Sequence, residues 1–169
     1  RKLKQEVKKT EYRYRDLLES ANDLIFTVNN EGNIIYLNNR FKPLTEYDKN
    51  EWLNKPFLSL ITEEDRAFAR KNYELAHHGK ARIFQAHVKT RNTSPLTLSF
   101  NITPILERGT ITGAMGIARD VTEQNRMEKE IIDLKNFNES IIQSMQSGLM
   151  TTDLDRRFTS LNAGAEKIL

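Results

Sequence analysis

Three histidines, one acidic run and a complete absence of cysteine are the chemistry-bearing features of these 169 residues. A metal centre needs His, Cys, Asp or Glu at ligand spacing, and a side-chain nucleophile needs a base beside it. His77 and His78 sit against Gly79 at what reads as a helix end, where a histidine more often favours the negative end of the helix dipole than binds metal. His87 falls on the wetter face of a strand and has no partner nearby in sequence. Glu63, Glu64 and Asp65 open a helix, where carboxylates satisfy free N–H groups rather than act as acid and base. The seven glycines build no phosphate-cradling loop, and no Ser/His/Asp spacing stands out. The expectation is therefore no catalytic residue and no metal ligand set. Without cysteine there is no disulfide, thiolate, iron–sulfur cluster or cysteine-linked chromophore, which suits a reducing, cytoplasmic setting.

The elements around these residues are clearer than their chemistry. The length is room for one domain and a fragment, and 38% apolar residues with 29% charged and a mean hydropathy of −0.63 fit one modest core under a charged surface. No apolar run approaches the roughly 18 residues of a membrane helix, and the N-terminus is not a signal peptide. The net charge is +3, but residues 1–15 alone carry +5, so the body is slightly acidic. A nucleic-acid reader spreads its cations over a folded face, so no nucleic-acid partner is expected. The basic stretch is a solvated helix face or a contact for an acidic partner or lipid surface.

Residues 1–21 contain no Gly or Pro and place Leu3, Val7, Thr10, Tyr14, Leu17 and Ala21 at 4-3-4-3-4 spacing, a coiled-coil seam. Residues 122–146 repeat it with Met127, Ile131, Leu134, Asn138, Ile141 and Met145, after Thr122, which can cap the helix. Asn138 falls at an a position, where a buried Asn fixes register and favours a parallel homodimer. A single amphipathic helix packed on its own domain is the alternative. Between the two helices lie a hairpin, Leu24 to Leu37, short helical pieces broken by Pro43 and Pro56, a helix from Thr62 to Gly79, and strands at 81–91, 96–106 and 110–119. This predicts an α+β fold, a five-stranded antiparallel sheet with its own helices on one face. A shift of 124 residues pairs 17–45 with 141–169 without a gap, with Ser20/Ser144, Thr27/Thr151, Leu37/Leu161 and Asn38/Asn162 identical. The unit of repetition is helix plus domain, as in a longer protein with such units in tandem.

These segments resemble a PAS domain of bacterial and archaeal sensor histidine kinases. The resemblance rests on Tyr14 to Asp23 leading into the first strand, Gly32 to Asn38, Phe41 with Leu44 to Tyr47, Glu51 to Phe57, Glu63 to Asp65, and Asp120 to Gln124. It implies a linker helix at 1–21, a PAS domain at 22–121, a signalling helix at 122–146 and the start of a second PAS domain at 147–169. It further implies a non-enzymatic sensor that dimerises and passes a signal, through Asp120 and Thr122, to downstream PAS and output domains, with a histidine kinase as the expected output. A diguanylate cyclase, chemoreceptor or transcription activator could equally follow. The family's photosensors carry a cysteine where Phe57 stands, and Val88, Leu98 and Ala118 replace their flavin-holding amides, so no flavin adduct forms. The haem-binding members' axial histidine has Phe68 in its place.

An apolar interior remains. Strand alternation points Phe26, Val28, Phe84, Ala86, Val88, Leu98, Phe100 and Ile102 inward with Ala114, Gly116 and Ala118, facing Phe68 and Tyr73 on the long helix. The small residues make either room for those rings or a pocket for a small apolar ligand or non-covalent flavin, lined by Phe26, Val28, Phe68, Tyr73, Phe84, Val88, Leu98, Phe100, Ala114 and Ala118. A ligand-free interaction scaffold is the competing reading. On the other face, Ile111, Met115 and Ile117 need a cover, for which residues 1–21 of the same subunit or of its mate are the expected source.

Overall fold

The computed structural model describes residues 2–168, with side chains from Glu6 onward. The chain divides into two units, Arg1–Thr122 and Glu123–Leu169. In the first, helix α1 (Lys2–Glu19) precedes β1 (Leu24–Asn29) and β2 (Ile34–Leu37). Then come α2 (Phe41–Thr45), two 3₁₀ turns (Lys49–Glu51 and Phe57–Ser59), α3 (Glu63–His77), β3 (Arg82–Val88), β4 (Leu96–Glu107) and β5 (Thr110–Asp120). The five strands form one sheet in the order β2-β1-β5-β4-β3, every neighbouring pair antiparallel. This is the expected α+β architecture.

The local reasons are visible in the chain. Gly32 takes φ +80 in the β1–β2 turn, and the Asn29 side chain accepts the amides of Glu31 and Asn33 there. Gly79 at φ +88 stops α3. Strand β3 ends three residues before the expected Arg91, because Thr90 turns its hydroxyl onto the Ser94 carbonyl and the chain leaves the sheet. Thr62 does not cap α3 with its side chain; its amide instead donates to the His87 carbonyl, fastening the helix start to the edge strand β3.

One sheet face is dry. Leu98, Phe100 and Ile102 on β4, Phe84, Ala86 and Val88 on β3, and Ala114, Gly116 and Ala118 on β5 are buried, as strand alternation requires. Against them α3 lays Ala69, Tyr73 and Ala76, spaced i, i+4, i+7 on one side of the helix. Phe68 lies about 100° around the helix from Ala69 and is 54% exposed, with its ring edge-on to Phe84.

The opposite face stays open at Met115 and Ile117 in the single chain, whose own α1 does not cover it. The side chains of Glu6 to Leu17 are exposed, and α1 comes to the sheet at the edge strand β2, where Glu19 accepts the Tyr36 hydroxyl at 3.0 Å. The helix end is held there by Asn38 and Glu19, which fixes its exit at the hairpin edge rather than over β5.

In the second unit, α4 (Thr122–Ser144) leads to a hairpin of β6 (Met150–Thr152) and β7 (Phe158–Leu161), antiparallel, and to a short α5 (Ala163–Glu166). Among the described residues no helix is long and apolar enough to cross a membrane.

Candidate functional site

The interior is filled largely by its own rings. Phe84 stacks on Phe100 at 5.2 Å, Phe100 meets Phe26 edge-on at 6.2 Å, and Phe57 bridges Phe26 and Tyr73 at 6.1 and 4.9 Å. The small residues of β5 make space for them. Gly116 pairs with Phe26 across the sheet, and a Cβ at that position would run into the Phe26 ring. Tyr73 donates its hydroxyl to the Asn29 carbonyl at 3.1 Å, and burial raises its pKa above the usual phenol value.

A void of about 20 Å³ remains, enough for a water and far short of an aromatic ligand. Of the residues expected around a pocket, Phe26, Val88, Leu98 and Phe100 line it. Val28, Tyr73, Phe84, Ala114 and Ala118 are buried in the surrounding core without reaching the void, and Phe68 lies outside it. The rest of the wall is Leu24, Ile34, Leu37, Phe41, Thr45, Phe57, Leu60 and Ile61, mostly from the short helical pieces whose orientation periodicity does not fix. The Thr45 hydroxyl donates to the Phe41 carbonyl, so the wall offers no free polar group to orient a guest. A flavin does not fit these side chains as they stand.

The relay residues Asp120 and Thr122 sit at the junction of β5 and α4. Asp120 Oδ1 accepts the Thr122 amide at 2.9 Å. The Thr122 hydroxyl accepts the Thr97 amide at 2.9 Å and lies 3.5 Å from the Thr97 carbonyl, so the first residue of α4 is riveted to the start of β4. Val121 adds an amide bond to the same Thr97 carbonyl at 3.0 Å.

The seam residues with described side chains are exposed apart from Ala21, which is half-buried beyond the end of α1. Val7, Tyr14 and Leu17 line α1, while Met127, Ile131, Leu134, Asn138, Ile141 and Met145 run along α4 and beyond its last turn. The Leu3 side chain lies outside the described residues. Phe137 and Ile142, exposed as well, widen the α4 stripe beyond the expected seam.

Two features were not read from the sequence. His87 does have a partner. Its backbone amide and its ring Nδ1 both meet Asp65 Oδ2, at 2.7 and 2.6 Å, joining the first turn of α3 to β3 across a separation of 22 residues. The His87 amide, then its ring, hold the Asp65 carboxyl below the usual carboxylate range against the opposing effect of burial. The second is Tyr36, whose phenol is pushed up to about 12, first by burial and then by the Glu19 carboxylate that accepts its hydrogen bond. Among the described residues no cluster of His, Asp and Glu could hold a metal ion.

Comparison with known proteins agrees with this architecture. The family described as "PAS fold" matches residues 18–126. Sporulation kinase C of Bacillus subtilis is 23% identical over 160 residues, 90% of this chain and 37% of that protein. The transcriptional activator RocR of the same organism is 25% identical over 127 residues, 72% of this chain and 26% of that protein. The chain thus spans about a third or less of the length of these relatives. A domain of a sensory box sensor histidine kinase/response regulator from Geobacter sulfurreducens is 28% identical with a TM-score of 0.57, covering 66% of this chain and 94% of that one. With five antiparallel strands in the order 2-1-5-4-3, helices on one face, and a family match over most of its length, this chain belongs to the PAS family.

Proposed function

We propose that this PAS domain is a dimeric sensory relay, paired in parallel through α4, that passes a change in its sheet to an output domain elsewhere in its parent protein. The observation that carries the reading is the apolar seam of α4, exposed from Met127 to Met145 in the single chain. Each Ile or Leu buried by a partner contributes roughly 1.5–3 kcal/mol, and a parallel, in-register pairing also matches the flanks. With Ile131 and Asn138 at a, residues Glu130 and Lys135 fall at facing g and e positions, as do Phe137 and Ile142. One such pair joins opposite charges and the other joins apolar side chains.

The relay path runs from β4 through Thr97 to Thr122 and into α4. The resemblance to Sporulation kinase C and to the Geobacter sensor kinase supports a histidine kinase as the output, and RocR supports a transcription activator as the alternative. Residues 147–169 are read as the opening of a second PAS domain, at the end of a shared helix. The cysteine-free chain supports a cytoplasmic location.

A second reading is favoured by one observation. The void of about 20 Å³ leaves the core self-packed, which supports a ligand-free scaffold in which partners, rather than a bound molecule, bias the sheet. Sedimentation across a range of concentrations tests the pairing common to both. Ile131→Glu places two charges at the seam and is expected to weaken self-association by roughly a hundredfold or more. A chain that stays monomeric at the highest concentration reached contradicts the reading.

A further inference from the structure

Two buried asparagines occupy equivalent places 124 residues apart, and their hydrogen bonds repeat almost atom for atom. Asn38 is 0% exposed; its Nδ2 donates to the Leu18 carbonyl in the last turn of α1 and to the Asp23 carbonyl just before β1, both at 3.0 Å. Its Oδ1 accepts the Ile25 amide at 3.1 Å. Asn162 is 1% exposed; its Nδ2 donates to the carbonyls of Ile142 and Ser147 at 2.9 and 3.0 Å, and its Oδ1 accepts the Leu149 amide at 2.7 Å. Leu18, Asp23 and Ile25 map onto Ile142, Ser147 and Leu149 under the same shift. A second contact repeats beside each: Glu19 accepts the Asn39 amide at 2.7 Å, and Gln143 accepts the Ala163 amide at 2.9 Å.

We propose that Asn38 and Asn162 are clamp residues, each fixing the last turn of the helix that runs into a module to the first strand of that module, so that helix end and strand move together. The amide is suited to this because its two donors reach two carbonyls on either side of the helix exit while its acceptor holds the strand. Carbonyls in a helix's last turn lack their usual intrahelical partners and are therefore open to a side-chain donor. Between the paired stretches 17–45 and 141–169 only four residues are identical, yet this bonding set is kept whole. The two clamps differ in one respect. Glu19 also accepts the Tyr36 hydroxyl, whereas Ser160 stands at the matching place in the second, so the α1 clamp carries an additional tie.

The consequence deepens the relay reading and rests on it. Helix α4 is fastened at its start by Thr122 to Thr97 and at its end by Asn162 and Gln143, and a displacement of β4 has a rod with both ends held along which to travel.

Hydrogen exchange followed by mass spectrometry on the whole 169-residue chain tests the clamp itself. Asn38→Ser removes the donors to Leu18 and Asp23. It is expected to speed exchange across residues 18–25 by about tenfold, the scale of a lost buried hydrogen bond, while amides of β4 and β5 keep their protection. A residue that only supports the fold would instead speed all of these segments together, and that result, or no change at 18–25, overturns the proposal. Should Asn38→Ser not fold, Glu19→Ala decides. An acceleration confined to the Asn39 amide and residues 18–25 upholds the clamp, and an unchanged pattern at 18–25 refutes it. A monomeric chain would defeat the relay reading without altering these exchange patterns, so the two failures are distinguishable.

Discussion

Gly116 and Phe26 show how single residues decide whether this interior is a pocket or a packed core. A ring lying over a glycine on the neighbouring strand fills space that any side chain at Gly116 would claim. Gly116→Ala is expected to cost about 1–3 kcal/mol through overpacking, seen as a lower urea midpoint with little change in slope. The Asp65 to His87 contact is the other residue-scale lever. The folded-state pKa of Asp65 is depressed, so its contribution is fully present above the unfolded value of about 3.9 and is lost as pH falls through the folded value. Asp65→Asn still accepts the His87 amide and has no carboxylate to protonate. Between about pH 5 and 2 the variant should therefore lose less stability than the parent protein in denaturant titrations, and equal losses would contradict this assignment.

Among the elements, the junction at Thr122 matters most because it joins sheet to helix. Thr122→Val keeps the shape and removes the hydroxyl from Thr97; loss of that bond is expected to cost about 1 kcal/mol and to raise hydrogen exchange in the first turn of α4 and at Thr97. The strands were legible from period-2 patterning because one face is dry: Leu98, Phe100 and Ile102 alternate with Thr97, Ser99 and Asn101 as the burial does. The 38–61 stretch was not legible in the same way. Its turns are too short for a repeat, so Phe41, Phe57, Leu60 and Ile61 gave no sign of closing the void. Phe68 misled because an aromatic residue on a helix reads as inward, while the neighbouring Ala69, Tyr73 and Ala76 define the buried side. The Asp65 to His87 pair and the docking of α1 at Tyr36 depend on tertiary contacts that spacing along the chain does not encode.

For the molecule as a whole, the repeated helix and hairpin make α4 the outgoing rod of one PAS domain and the incoming rod of what we read as the next. The account stands on α4 pairing in parallel and in register with a second copy. The chain has no cysteine, so a single introduced thiol reports without interference. In a parallel pair the two residues at one a position lie side by side, and Asn138→Cys should form a disulfide-linked dimer in high yield under mild oxidation. Lys129→Cys, on the outer side of the same helix, should form little. Efficient crosslinking through Asn138→Cys alone is the predicted result; no crosslinking there, or equal yields at both positions, would contradict it.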